Sequence, residues 1–305
     1  MLRKFMMGAC ALALAACGNN APDADYDAYA DPSPEDAPAL WAVSDDDNTV
    51  YLFGTFHLLP DETDWRRPAF EQALAETGIT YVEADAESPE AVARIAELVQ
   101  THGRNPEGVT LSSILGPERA ASFDAIASNY NIPISWLEEF QPWLAILTVT
   151  QAAYAAAGLN PAAGVEPAVL AIARSQDDEI AYLETAEMQI LALAGLDVEE
   201  LLASFDVGLS QLGELETQIL EGVEAWRVGD LETLDTLLLA ETREIAPGAY
   251  DLIFTERNAN WTEQIKVMMD GDQDQFLAVG AGHLIGDDSV IDMLLKEGYK
   301  PVRLQ

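Results

Sequence analysis

Short apolar runs near both ends of the chain and long helical patterns between them outline the predicted fold. Strands are predicted where β-prone apolar residues lie between turn-forming residues, at 50–53, 79–82, 179–183, 275–279 and 299–304. Helices are predicted where apolar residues recur at helical spacing, at 68–76, from Ser88 onwards, and at 117–129, 135–156, 166–175, 186–195, 197–226, 230–244, 249–269 and 289–296. The sequence therefore predicts an α/β fold with a central mixed sheet and a large helical insert.

Two segments near opposite ends of the chain share one order of features: an apolar strand, a G-x-x-H motif, a helix and another strand. The first motif runs from Gly54 to His57 and the second from Gly280 to His283. Acidic turn residues follow both motifs. The repeat predicts two pseudo-symmetric halves that share one sheet, with equivalent loops facing one cleft.

The position of the two histidines favours a role in ligand binding. A small residue at the end of a strand lets the backbone turn sharply. A histidine three residues later then projects from the carboxyl end of the strand, where open α/β sheets bind their ligands. Glu83 directly follows the strand at 79–82, so its carboxylate is expected at the same edge as His57 and His283. Two imidazoles and one carboxylate leave positions open on a divalent ion for water and substrate.

A purely structural role for such histidines is the alternative interpretation. A single G-x-x-H motif has little value as evidence, whereas two copies in matching frames favour a shared functional site. His102, the third histidine of the chain, lies at a polar helix end and is expected on the surface.

The charge of the chain excludes several classes of partner. Fifty-three acidic side chains oppose 15 basic ones, which gives a formal net charge of −38, and 49% of the residues are hydrophobic. The apolar fraction is large enough for a substantial core. A surface this acidic repels phosphate backbones and anionic lipid headgroups, so no nucleic-acid partner is expected. The sequence also lacks a P-loop, a Rossmann glycine pattern, a G-x-S-x-G elbow and a C-x-x-C motif.

The first residues resemble a secretory signal. Arg3 and Lys4 precede an apolar run that is too short to span a bilayer, and Leu14 to Cys17 read Leu-Ala-Ala-Cys, which resembles a bacterial lipobox. We expect a lipoprotein signal peptide at 1–16, a flexible tether at 17–38 and a folded domain at 39–305. Lipid on Cys17 would be the only contact with the membrane. The expected location is the bacterial cell envelope, with the protein anchored in the outer membrane and facing the periplasm. An ordinary signal peptide is the alternative.

Replacement of Cys17 by serine separates these two interpretations. With a lipid anchor, the Cys17→Ser protein is expected in the soluble fraction, whereas the wild-type protein stays with the membranes. Unchanged fractionation of the variant would support an ordinary signal peptide.

These motifs resemble those of the TraB/GumN family, which includes the Tiki metalloproteases and PrgY-type pheromone-shutdown proteins. The resemblance rests on Gly54 to His57, on Glu83 in Tyr-Val-Glu-Ala-Asp, on Arg257 in Glu-Arg-Asn-Ala-Asn-Trp and on Gly280 to His283. It covers about residues 40–304, and intermediate stretches resemble the bacterial GumN-type lipoprotein branch. It implies a mixed sheet from two pseudo-symmetric halves and a metal-dependent hydrolysis of peptides.

The resemblance also implies roles for single residues. His57, Glu83 and His283 would bind the metal, and Glu83 could instead act as the base. Arg257 would orient a carboxylate or stabilise an oxyanion, or else form a salt bridge with a nearby acid. The supporting residues are expected to be Asn258, by hydrogen bonding or helix packing, and Glu166 and Glu184, around the site.

Three functions remain open on the sequence. The first is a lipid-anchored, metal-dependent hydrolase of the cell envelope with a peptide or protein substrate, which would use Zn, Mn, Co or Fe. The second is a non-catalytic lipoprotein that sequesters a peptide or another ligand in the same cleft. The third is a structural lipoprotein, which the paired histidines disfavour.

Overall fold

The computed structural model describes residues 36–210 and 215–305. Its strands are β1 (Leu40–Ser44), β2 (Thr49–Thr55), β3 (Leu59–Pro60), β4 (Ile79–Val82), β5 (Leu159–Asn160), β6 (Glu179–Tyr182), β7 (Gln275–Gly280) and β8 (Val302–Arg303). Its α-helices are α1 (Pro68–Glu76), α2 (Pro89–His102), α3 (Leu111–Asn129), α4 (Ile134–Leu137), α5 (Pro142–Ala156), α6 (Val165–Gln176), α7 (Ala186–Ala194), α8 (Val198–Ser210), α9 (Leu215–Val228), α10 (Leu231–Asp235), α11 (Glu241–Ile245), α12 (Pro247–Tyr250), α13 (Glu256–Met269) and α14 (Val290–Lys296).

The main sheet has six strands in the order β6-β4-β7-β2-β1-β8. The four strands β6, β4, β7 and β2 run parallel to one another, whereas β1 is antiparallel to both β2 and β8. Strands β3 and β5 form a separate antiparallel pair. The predicted α/β fold with a central mixed sheet is confirmed.

The two G-x-x-H motifs leave the sheet from neighbouring strands. Strand β2 pairs in parallel with β7, with Gly54 opposite Val279 and Thr55 opposite Gly280. The two histidines therefore follow strand ends at the same edge of the sheet. The strands that follow the helix after each motif are paired differently in the sheet. Strand β4 is parallel to β7, whereas β8 is antiparallel to β1.

The sheet is buried at its centre, and this explains the continuous apolar runs in its strands. Residues Gln275–Val279 of β7 are all buried, as expected for a parallel strand covered on both faces. Trp226 of α9 is also buried, and its indole nitrogen donates a hydrogen bond of 2.8 Å to the carbonyl oxygen of Gly54. Helix α9 is thereby fixed against the end of β2, next to the first motif.

Capping residues in the sequence determine where several helices start. The side chains of Ser88, Thr110, Thr185 and Ser289 each accept a hydrogen bond from a backbone N–H in the first turn of the helix that follows. Such caps satisfy donors that the helix itself leaves without partners. The cap at Thr185 starts α7 directly after Glu184, and this fixes the backbone there.

The structure corrects several predicted boundaries. Strand β1 was not predicted. The helix predicted at 135–156 is divided into α4 and α5 because Pro142 starts a new helix, and the residue before a proline is held in an extended conformation. The predicted helix at 197–226 corresponds to α8 and α9, with 211–214 outside the described residues. The strand predicted at 299–304 is confined to Val302–Arg303.

Two further predicted helices contain π-helical turns. One is Thr236–Ala240, between α10 and α11, and the other is Asp251–Thr255, between α12 and α13. A π-helical turn shifts the register of side chains along a helix, and such turns often occur beside functional sites.

The predicted signal peptide at 1–16, with Cys17 and most of the tether, lies outside the described residues. The described tether residues already contact the domain: the Asp36 carbonyl oxygen accepts a hydrogen bond from Arg67, Ala37 is buried, and the Pro38 carbonyl oxygen accepts one from the Gln305 side chain. Among the described residues, no helix has the length and apolar character needed to cross a membrane.

Candidate active site

Four parallel strands each supply one side chain at their carboxyl ends. Glu184 follows β6, Glu83 follows β4, His283 follows β7 and His57 follows β2. The carboxyl edge of a parallel sheet is where open α/β folds bind ligands. The three residues that were predicted to share this edge do so, and Glu184 joins them.

His57 is oriented by a carboxylate. Its Nδ1 lies 2.7 Å from Oε1 of Glu166, and that same oxygen accepts a hydrogen bond from the hydroxyl of Thr55. Glu166 stands in the first turn of α6, which approaches the first motif closely because Gly164 lacks a side chain. A Cβ atom at Gly164 would overlap the carbonyl group of His57.

His283 is held in one tautomer by Asn258. The amide nitrogen of Asn258 donates to the Asp288 carbonyl at 2.7 Å, so its oxygen faces Nδ1 of His283, also at 2.7 Å. Nδ1 must therefore carry the hydrogen, and Nε2 is an acceptor. That Nε2 lies 3.1 Å from a guanidinium nitrogen of Arg257.

The His283 imidazole is neutral. Burial lowers its pKa to about 3, and the nearby positive charge of Arg257 acts in the same direction. Its ring packs against Trp261, with centroids 4.5 Å apart, and against Phe254, with centroids 5.1 Å apart. A neutral, oriented imidazole of this kind is the form that binds metals.

Glu83 is a buried carboxylate that stays ionised. Burial raises its pKa, but the positive charge of Arg257 outweighs that effect, the Gly280 hydrogen bond acts in the same direction as Arg257, and the pKa lies well below its ordinary value. Its Oε1 accepts a hydrogen bond of 2.8 Å from the Gly280 N–H, and its Oε2 lies 2.7 Å from Arg257. The side-chain amide of Gln189 donates to Oε2 at 3.0 Å.

Arg257 connects the acids of the site. Besides Glu83, it binds Glu184, with distances of 2.5 Å from Nη2 and 3.0 Å from Nε to Oε1. Its guanidinium also lies over the Trp261 ring at 4.8 Å. Burial raises the pKa of Glu184, although the positive charge of Arg257 opposes that shift. The salt bridge that was one of the predicted roles of Arg257 is thus present.

Gly280 leaves a small space at the centre of the site. A Cβ atom built on it would lie 3.2 Å from Oε1 of Glu83, 3.5 Å from Cδ2 of His283 and 3.9 Å from Nε2 of His57. All three predicted ligand side chains therefore border this one space. In both histidines, Nδ1 contacts another side chain, Glu166 for His57 and Asn258 for His283, and such contacts are common in histidines that bind metals.

The ligand atoms do not yet form a closed coordination set. Nε2 of His283 and Oε1 of Glu83 are 4.0 Å apart, and both are acceptors because the imidazole is neutral. In the described part of the chain, no three His, Cys, Asp or Glu side chains already stand at the spacing of a metal site. The donor types and their orientation fit a divalent ion, but Arg257 would have to release Nε2 of His283.

The sequence did not point to every residue of this site. Gln189 contacts both Glu83 and Glu184, with 2.9 Å to the latter, and Thr55 contacts Glu166. Their roles depend on which strands are neighbours, and no local pattern reports that. His102 ends α2 and is exposed, away from these residues.

The order of the motifs and the geometry of the site agree with a comparison against family models. The model for the TraB/PrgY/gumN family matches residues 39–303. The chain belongs to the TraB/PrgY/gumN family. The match spans both G-x-x-H motifs as well as Glu83 and Arg257, so the site described above lies within the family domain. Comparisons with curated proteins and with solved structures gave no match.

Proposed function

We propose that this family member is a metal-dependent hydrolase in which His57, Glu83 and His283 bind a divalent ion. The observation that carries the proposal is the small space beside Gly280, which these three side chains border. Their chemistry also suits Zn, Mn, Co or Fe, all of which accept imidazole and carboxylate ligands.

The charge of the site supports a bound cation. Three carboxyl groups, those of Glu83, Glu166 and Glu184, are linked by hydrogen bonds and ion pairs to a single guanidinium and two imidazoles. Since the His283 imidazole is neutral, an excess of negative charge remains at the carboxyl edge of the sheet. A divalent ion would offset that excess.

The residues of the chain have distinct tasks in this proposal. Glu166 accepts the Nδ1 hydrogen of His57, so Nε2 presents its lone pair towards the space beside Gly280. Asn258 does the same for His283. A divalent ion bound there would lower the pKa of a water molecule and polarise a carbonyl group. Glu83 is ionised and can either bind the ion or accept a proton.

Arg257 positions the acids and limits the charge around them. With two buried carboxylates as partners, its guanidinium stays in place when Glu83 gains or loses a proton. The contact from Nη1 to Nε2 of His283 is the one that metal binding would replace. Released from that imidazole, Nη1 would be a donor for an oxyanion that forms on the substrate.

The proposed substrate class is peptide. The family resemblance implies it, and an apolar cavity of about 120 Å³ that opens beside both histidines supports it, since such a cavity suits an apolar side chain. We propose the cell envelope as the setting, with lipid on Cys17 as the anchor.

Metal-dependent cleavage of a peptide library tests this proposal. Chelator-treated protein is refilled separately with Zn, Mn or Co and incubated with the library, and products are identified by mass spectrometry. We expect cleavage with metal only, and a loss of at least about 100-fold in His57→Ala and His283→Ala, because each removes a ligand. His102→Ala is the matched control and should cleave like wild type.

Two other results would contradict the hydrolase. Peptide binding without turnover under every metal would favour the alternative, a lipoprotein that sequesters peptides in this cleft. Cleavage that survives chelation and the loss of either site histidine would mean that the activity lies elsewhere in the preparation.

A further inference from the structure

An apolar cavity lies next to the proposed metal ligands. Its volume is about 120 Å³, and His57 and His283 form one end of it. The other walls are mainly apolar and include Phe56, Ile219, Val223, Leu237, Leu238 and Phe254. No basic side chain contributes to the described lining.

Helix α9 leaves one wall of the cavity open. Gly222 is buried, yet a Cβ atom built on it would meet nothing within 4 Å. A buried glycine normally faces packed atoms, because protein interiors are dense. Here the missing side chain faces the cavity, so the size of residue 222 sets the cavity volume.

A polar side chain lines the same wall. Gln218 lies one helical turn before Gly222, and only 7% of it is exposed. Its amide has no hydrogen bond to any residue that the structure describes. An amide offers both donors and an acceptor, so Gln218 can hydrogen-bond a polar group of a ligand in the cavity.

The two π-helical turns also contribute to the lining. Leu237 and Leu238 belong to the turn at Thr236–Ala240, and Phe254 belongs to the turn at Asp251–Thr255. Each turn places side chains in the cavity that a regular helix would direct elsewhere. With Tyr154 of α5, the described lining draws on four separate helical segments as well as on the ends of β2 and β7.

We propose that this cavity is a specificity subsite for one medium-sized apolar side chain of the peptide, such as that of leucine or methionine, and that Gln218 hydrogen-bonds the peptide backbone at its entrance. The inference rests on the proposed function and specifies its substrate. An apolar cavity of about 150 Å³ holds a benzene molecule, so this smaller one suits an aliphatic side chain and excludes tryptophan. Charged side chains are excluded because the described walls offer them no counter-charge.

Binding of small amide probes tests the subsite without metal and without turnover. N-acetyl-leucinamide and N-acetyl-glycinamide are titrated into the chelator-treated wild-type chain, and their dissociation constants are measured by NMR. We expect leucinamide to bind at least about tenfold more tightly, which is the lower end of the effect of filling an apolar pocket. Equal dissociation constants for the two probes would overturn the proposal.

Substitutions at α9 locate the binding. Gly222→Leu fills the cavity and should abolish the preference for leucinamide, and the smaller Gly222→Ala, which suits a helix, should reduce it. Gln218→Leu should weaken the binding of both probes, since each carries a backbone-like amide. Gly78→Ala, in an open position at a distance from α9, is the control. A Gly222→Ala protein that folds and keeps the full preference would overturn the proposal.

The outcome of the probe titrations is independent of the hydrolase proposal. The probes are titrated into chelator-treated protein and are not cleaved, so their binding does not depend on the proposed metal or on turnover. If the probes bind as expected but no peptide is cleaved, the subsite stands and the proposed hydrolase fails. If peptides are cleaved without regard to apolar side chains and the probes bind equally, the hydrolase stands and the subsite fails.

Discussion

Replacing Arg257 by alanine will lower the free energy of unfolding by about 3–5 kcal/mol, because the change leaves two buried carboxylates without their shared cation. Glu83 and Glu184 are 6% and 7% exposed, and Arg257 contacts them at 2.7 Å and 2.5 Å. Once the guanidinium is gone, the two acids repel each other in a region that water barely reaches. Urea denaturation monitored by tryptophan fluorescence measures the loss.

Two further variants identify the cause of that loss. Arg94→Ala removes a similar two-point contact with Glu187, but on the surface, and should have a much smaller effect. Adding Glu184→Gln to Arg257→Ala removes one of the unpaired charges and should restore part of the stability. If Arg257→Ala is as stable as Arg94→Ala, the acids are not ionised together in a buried site, and this description of the charges is wrong.

A single methyl group at Gly280 will lower turnover by roughly 100-fold while the protein still folds, because it displaces the groups that must act together. In Gly280→Ala, the new carbon would lie 3.2 Å from Oε1 of Glu83 and 3.9 Å from Nε2 of His57. The backbone tolerates the change, since Gly280 has φ −51° and ψ 134°, values that any residue adopts. Assays of metal-refilled protein measure the fall in turnover.

Gly78→Ala is the matched control for this methyl group. A Cβ atom there meets nothing within 4 Å, so neither activity nor stability should change. Gly280→Ala itself should lose at most about 1–3 kcal/mol of stability, the usual cost of one extra carbon in a packed site. Full activity in Gly280→Ala would show that the space at Gly280 is not where the reaction takes place.

The sequence alone was sufficient to predict that His57, Glu83 and His283 lie at one edge of the sheet. The two G-x-x-H frames fixed where His57 and His283 leave their strands, and Glu83 followed a third strand. In a parallel sheet, residues that follow strand ends lie at one edge whatever the strand order. The prediction therefore needed only the strand type and the spacing.

The partners of these residues depend on strand order, which no local pattern encodes. Glu184 reaches Arg257 because β6 lies beside β4, and Gln189 is placed by the helix that follows. Glu166 was suspected only as a supporting group, since its contact with His57 requires α6 to approach the first motif at Gly164. Such contacts join residues 73 to 111 positions apart.

Two errors in the predicted fold have simple physical causes. Strand β1 is five residues long and nearly all buried, so it lacks the alternation that marks a half-buried strand. The break between α4 and α5 coincides with Pro142, which interrupts a long apolar helical pattern because a proline holds the residue before it in an extended conformation. The site is unaffected by either, because α4 and β1 contribute no side chain to it.

Metal titration of the chelator-treated protein tests the central claim most directly. Calorimetric titration with Zn or Co should show a single tight site in the wild-type chain and in His102→Ala. In His57→Ala and His283→Ala, the affinity should fall by more than about 10–100-fold, the range seen when only a supporting group is lost. Equal affinities in all four proteins, or no binding to wild type, would contradict the claim that these two histidines and Glu83 bind a metal.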